Sequence, residues 1–200
     1  MDRVLALSDG VFAFALTLLA VDIRLPSGLP QDVSGPELAA AILSLLPSAL
    51  AYAQTFLLVG VYWLAHKRMF TYIRRQDRGL LWLNLLFLLF VAFLPVPSST
   101  LGRYGLQRPV AVFYATSLVL TGLADLSLWL YASHRHRLVN RDLDPDIVRY
   151  YALRGLVPVL VFALSIPVAL LEPAAVAYLW LALLVVERLL GHLYQSLQRH

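Results

Sequence analysis

The first 26 residues, Met1 to Pro26, read MDRVLALSDGVFAFALTLLAVDIRLP. The run from Arg3 to Leu25 predicts a helix about 35 Å long at roughly 1.5 Å per residue, enough to cross a hydrocarbon layer of about 30 Å. Arg3, Ser8, Asp9 and Gly10 sit in its first turns, where a helix facing only lipid would not place them, because polar groups at membrane depth need partners or water. With about 100° per residue, Arg3, Leu7, Gly10, Phe14, Val21 and Leu25 fall within about 40° of one line, flanked by Thr17 and Leu18. Ser8 and Asp9 point away from that line and form a polar pair. One apolar stripe and one polar side are expected to meet different surroundings.

Working outward from this helix, the whole 200-residue chain is 60% hydrophobic and only 14% charged. Soluble domains run nearer half apolar and a quarter charged, so this composition describes an integral membrane protein. A secretory leader does not fit the first segment, which has no basic n-region and carries an acid near its start. No cysteine is present, which excludes disulfides and thiolate metal sites. Six apolar stretches predict six transmembrane helices in an all-α polytopic fold, at roughly 3–25, 38–65, 79–97, 108–133, 150–171 and 174–192, within one domain spanning 1–200. Pro26 to Pro36 reads as a loop, Pro47 as a kink, and Pro95-x-Pro97 as the stop of the third segment. Asp142-x-Asp144-x-Asp146 lacks the Gly and closing Glu of a calcium loop and reads as a capping turn before segment five.

The 16 basic residues divide unevenly. Lys67, Arg68, Arg74, Arg75 and Arg78 lie between segments two and three, and Arg135, Arg137, Arg141, Arg149 and Arg154 between four and five. With Arg3, Arg188 and Arg199 near the termini, thirteen fall on one side; Arg24, Arg103 and Arg108 are left on the other. The positive-inside rule then places both termini in the cytoplasm. The net charge of +4 is thereby explained by topology, and nucleic-acid binding has no support.

Several residues are candidates for chemistry or for holding the bundle. Helix two returns to the side that helix one leaves, so Trp63 and His66, three apart on one face, lie at the level of Asp9. An indole N–H and an imidazole are donors a buried carboxylate can use. Asn84, an amide in an apolar run, is expected to bond another helix. Asp125, midway along segment four, suits a proton relay or cation site, or a neutral or hydroxyl-paired acid inside the bundle. No G-x-S-x-G, H-E-x-x-H or P-loop occurs, so no enzyme is expected.

Arg3-x-x-x-Leu7-Ser8-Asp9-Gly10 resembles the R-x-x-x-F-S-D-G signature of the transmembrane protein 175 family of potassium channels, in its prokaryotic form. Leu7 departs from the usual Phe. The following Val11 to Leu18, Trp63-x-x-His66 in segment two, and Asn84 with its terminal prolines in segment three are also similar to that family. The resemblance implies a homotetramer in a prokaryotic cell membrane, with four copies of helix one around a central pore. It implies potassium ions and membrane lipid as partners, no cofactor, and no metal beyond K⁺ in transit. Phe14, Thr17, Leu18 and Val21 would then line the pore and its hydrophobic constriction. Arg3, Leu7, Ser8, Asp9, Gly10, Trp63, His66 and Asn84 would form the motif and the structural clamp of the pore helix. The competing reading is a proton-coupled secondary transporter using Asp9, Asp125 and His66. Such carriers tend to have inverted repeats and helices broken in matching places, and the sequence has neither.

Overall fold

The computed structural model describes residues 2–180 and Leu183. Among the described residues the α-helices run in order: α1 Asp2–Val21, α2 Gly35–Leu43, α3 Leu46–Tyr72, α4 Arg78–Phe93, α5 Pro95–Tyr104, α6 Arg108–Ser133 and α7 Pro145–Leu171. No strand occurs among the described residues. Five segments are long and apolar enough to cross a membrane: Asp2–Val21, Gly35–Tyr72, Arg78–Tyr104, Arg108–His136 and Pro145–Leu171. The sixth predicted segment opens with residues 176–180 in helix and otherwise lies outside the described residues.

Capping explains the helix starts. Ser34 and Glu37 form a reciprocal capping box at α2, which satisfies two of the donors a helix N-terminus leaves open. The Asp77 carboxylate accepts from the Leu80 N–H at 2.9 Å at α4, and Asp144 accepts from the Asp146 N–H at 2.8 Å at α7. With Pro145 at its first position, α7 starts five residues before the expected 150, because proline suits a first turn that needs no N–H. Helix α1 ends at Val21 rather than Leu25; there Arg24 Nε donates to the Val21 carbonyl at 2.8 Å. Helix α3 runs on to Tyr72 rather than stopping at 65, since His66, Met69, Phe70 and Ile73 continue a buried face.

The prolines near residue 95 do not stop the chain. Leu94 keeps helical angles, φ −55° and ψ −30°, and the helical path continues into α5, so that Arg78–Tyr104 forms one apolar span. Pro95 occupies the first turn of this new helix, where its missing N–H is no loss. Pro95, Pro97, Ser98, Leu101 and Gly102 are buried, so α5 packs against α3 and α6.

Helix α6 is central: 15 of its residues are buried, against four on α1 and four on α7. It packs closely on α7, where a Cβ at Gly122 would stand 2.8 Å from Val159 Cγ2; small residues permit such backbone approach. At the end of the bundle that carries the basic loops, Ile73 and Val139 pair in a single antiparallel bridge. The Arg74 N–H donates to the Leu138 carbonyl at 2.8 Å, and Arg137 meets Asp77 at 2.9 Å. These contacts tie the α3–α4 and α6–α7 loops into one clamp. Helix α1 leans against α3 and α4 at the periphery.

Candidate functional site

Helix α1 has two faces. Ser8, Phe12, Ala15 and Leu19 are buried, a spacing of four, three and four residues that lines one side of a helix. The opposite line is open: Leu7 is 51% exposed, Phe14 59% and Val21 48%. Arg3, Gly10 and Thr17 are exposed along it, while Leu18 is half-buried. The space beside Gly10 is empty to at least 4 Å. Thr17 Oγ1 donates to the Phe14 carbonyl at 2.8 Å, which spends its proton and leaves its lone pairs facing outward.

Two sets of polar contacts hold α1 to the bundle. Trp63 Nε1 donates to Asp9 Oδ1 at 2.8 Å, and the Lys67 ammonium stands 5.3 Å from the Trp63 ring centroid. Deeper in, Asn84 Nδ2 donates to Ser8 Oγ at 3.2 Å, Ser8 Oγ donates to the Val4 carbonyl at 2.9 Å, and the Asn84 carbonyl oxygen meets His66 Nε2 at 2.8 Å. With the Asn84 oxygen as acceptor, that ring nitrogen carries the proton. Ser8, His66 and Asn84 are all buried, so each bond replaces water it has lost.

Two expectations change here. Ser8 and Asp9 do not share an environment: neighbours on a helix diverge by about 100°, which carries Ser8 into the core and leaves Asp9 at its exposed rim. Asp9 is thus no interior hub. Nor does His66 serve it; the imidazole turns inward to Asn84, stacked at 5.6 Å on Phe87 and 4.4 Å from the Phe70 ring centroid. Of the two proposed donors, only Trp63 reaches Asp9. Asn84 is the bridge between α1 and α3 that the sequence left unassigned beyond interhelical bonding.

Phe12 is the residue the sequence reading passed over. Its ring lies 5.9 Å from His66 and 5.8 Å from Phe87, keying α1 into the aromatic cluster of α3 and α4. The signal was the spacing of Ser8, Phe12, Ala15 and Leu19, hidden by an apolar residue at nearly every position. Asp125 lies apart from all of these, between α6 and α7.

Comparison with known proteins bears on this arrangement. The family model described as "Endosomal/lysosomal potassium channel TMEM175" matches residues 3–95, which include α1 from Arg3 onward and the Trp63, His66 and Asn84 positions. A protein named potassium channel from Streptomyces collinus is 35% identical over 172 residues, 84% of this chain and 81% of that protein. The chain belongs to the TMEM175 family. A second TMEM175-like relative, named potassium channel, from Chamaesiphon minutus is 34% identical over 145 residues, covering 71% of this chain and 70% of the relative. The crystal structure described as a lysosomal potassium-selective channel TMEM175 homolog from that organism superposes with a TM-score of 0.80 at 26% identity, covering 94% and 96% of the two chains. The TMEM175 relatives are ion channels rather than enzymes.

Proposed function

We propose that this chain is one subunit of a homotetrameric, potassium-permeable channel in a prokaryotic cell membrane, built as a single six-helix unit over residues 1–200. The observation that carries this reading is the division of α1. One face is fixed to its own bundle by Trp63, Asn84 and Phe12, while the Leu7/Phe14/Val21 line is left open in the lone subunit. Four such lines around a four-fold axis enclose a pore, and a closed symmetric assembly needs the same patch on every copy. The thirteen basic residues on one side put both termini in the cytoplasm.

In this arrangement Phe14 forms the constriction. An apolar ring offers a permeating ion no oxygen and acts as a barrier that gates by dewetting. Thr17, one turn outward, supplies a hydroxyl oxygen whose lone pairs face a partly dehydrated K⁺. Leu18 and Val21 continue the lining, and the exposed apolar faces of α3, α4 and α7 meet membrane lipid. A transporter relay finds no path among the described residues, because Asp9 is bonded to Trp63, His66 to Asn84, and Asp125 lies elsewhere. Reconstitution into planar bilayers under a potassium gradient tests the proposal. Unitary steps reversing near the potassium equilibrium potential are expected; transport without unitary steps overturns it.

A further inference from the structure

A cavity of about 60 Å³ lies between α3, α6 and α7, remote from the open line of α1. Asp125 lines it and is the one buried acid among the described residues, at 5% exposed. Its Oδ1 has no hydrogen-bond partner there. Burying a carboxylate without compensation is costly, and simple packing would be served better by an apolar side chain. The neighbouring helices come closer one turn away: a Cβ at Gly122 would stand 2.8 Å from Val159 Cγ2. The gap at Asp125 is therefore a local feature of a tightly packed pair. Tyr62, Trp129, Tyr151 and Phe162 contribute the aromatic part of its walls, with the Trp129 and Tyr151 ring centroids 5.2 Å apart.

We infer that this cavity is a binding site for the head of a small organic ammonium ion, with Asp125 accepting its N–H and the aromatic rings lining the space around its charge. The volume suits one ammonium head or a few waters. A bare alkali ion needs a set of oxygens to replace its hydration shell, whereas these walls are mainly carbon and the Tyr62 hydroxyl already donates to the Leu118 carbonyl at 3.4 Å. An ammonium head also gains from π faces, and the apolar walls suit the first carbons attached to it. Arg154 lines the same space and donates Nη1 to the Tyr150 hydroxyl at 3.5 Å. Its charge opposes the guest and limits affinity.

Calorimetric titration of the full chain in detergent with hexylammonium, and with hexanol as the neutral control, tests this site. Saturable hexylammonium binding is expected, weakened roughly thirtyfold by Asp125→Asn as one buried charge contact is lost; hexanol should not distinguish the two proteins. Equal hexylammonium affinity in Asp125→Asn would place the amine elsewhere, the axial pore included, and overturn the site. Displacement of hexylammonium by equimolar potassium chloride would overturn the ligand class. The unaltered chain offers a readout independent of any variant: hexylammonium should slow labelling of Asp125 by dicyclohexylcarbodiimide, an apolar reagent for buried carboxyls, read by peptide mass. Labelling that saturating hexylammonium leaves unchanged also overturns the proposal.

Discussion

At the scale of single residues, the proposed pore assigns the barrier to Phe14 and selection to Thr17 on the open face of α1. Phe14→Ala removes an apolar ring without touching the bundle, so conductance or open probability should rise and discrimination fall. Thr17→Val replaces the hydroxyl with a methyl of similar size and should change mainly the K⁺/Na⁺ permeability ratio. Recording both at equal surface density checks this, and unchanged currents in Phe14→Ala would mean the line faces lipid or protein instead. The anchor residues are expected to rank by burial. Asn84→Ala leaves Ser8 and His66 buried without their partner and should cost about 2–3 kcal/mol, while Asp9→Ala breaks one exposed bond and should cost about 1 kcal/mol. Thermal midpoints of the purified variants decide the order; a larger loss in Asp9→Ala would reverse it. Sequence alone made Asp9, Trp63, His66 and Asn84 visible because polar side chains stand out in apolar helices. It did not reveal the pairing of His66 with Asn84, since spacing along one helix says which residues share a face and not which face of another helix they meet.

At the scale of elements, the five described spans were legible from apolar length, and their ends were not. Pro95 and Pro97 carry the usual stop signal, but a proline in a first turn also starts a helix, and only the inward packing of Pro97, Ser98 and Leu101 separates the two outcomes. At α7 the capping turn at Asp142-x-Asp144-x-Asp146 was legible, yet the helix begins at Pro145 rather than at 150. The loop clamp was not, because it joins segments about 60 residues apart, Asp77 and Arg137. Asp77 accepts from the Leu80 N–H, the Tyr131 hydroxyl and Arg137, and these contacts, the backbone bond foremost, hold its carboxyl below the usual range. A depressed native pKa contributes stability above the unfolded value of about 4 and loses it as pH falls through the native one. The thermal midpoint of the parent should therefore exceed that of Asp77→Asn near neutrality, and the gap should close toward about pH 3. A gap of the same size at both pH values would assign the stabilisation to shape rather than charge.

At the scale of the whole molecule, the proposed assembly rests on the open line of α1 beside a bundle centred on α6. Native mass spectrometry in mild detergent should report a tetramer, and disulfide cross-linking of Leu7→Cys between subunits should be efficient at the same time. A monomer or dimer as the sole species would remove the axial pore. Composition made the membrane class legible at once, whereas the axis of assembly lies outside any single chain and enters only through the unpartnered line. The anchorage of α1 also has a mechanical side. Its directional bonds, at Ser8 and Asp9, sit at one end, while Ala15 and Leu19 hold the other by apolar contact, which resists separation but little opposes sliding. Were the helix to tilt, those bonds would make the turn near Ser8 its pivot, with Phe14 about 9 Å and Val21 about 20 Å along the arm at roughly 1.5 Å per residue. A tilt of about 10° then shifts Phe14 sideways by about 1.5 Å and Val21 by about 3.5 Å on that geometry. In the proposed four-fold pore the outer mouth would widen more than twice as fast as the ring at Phe14, so a small rocking of four such helices would alter entry before it opened the throat.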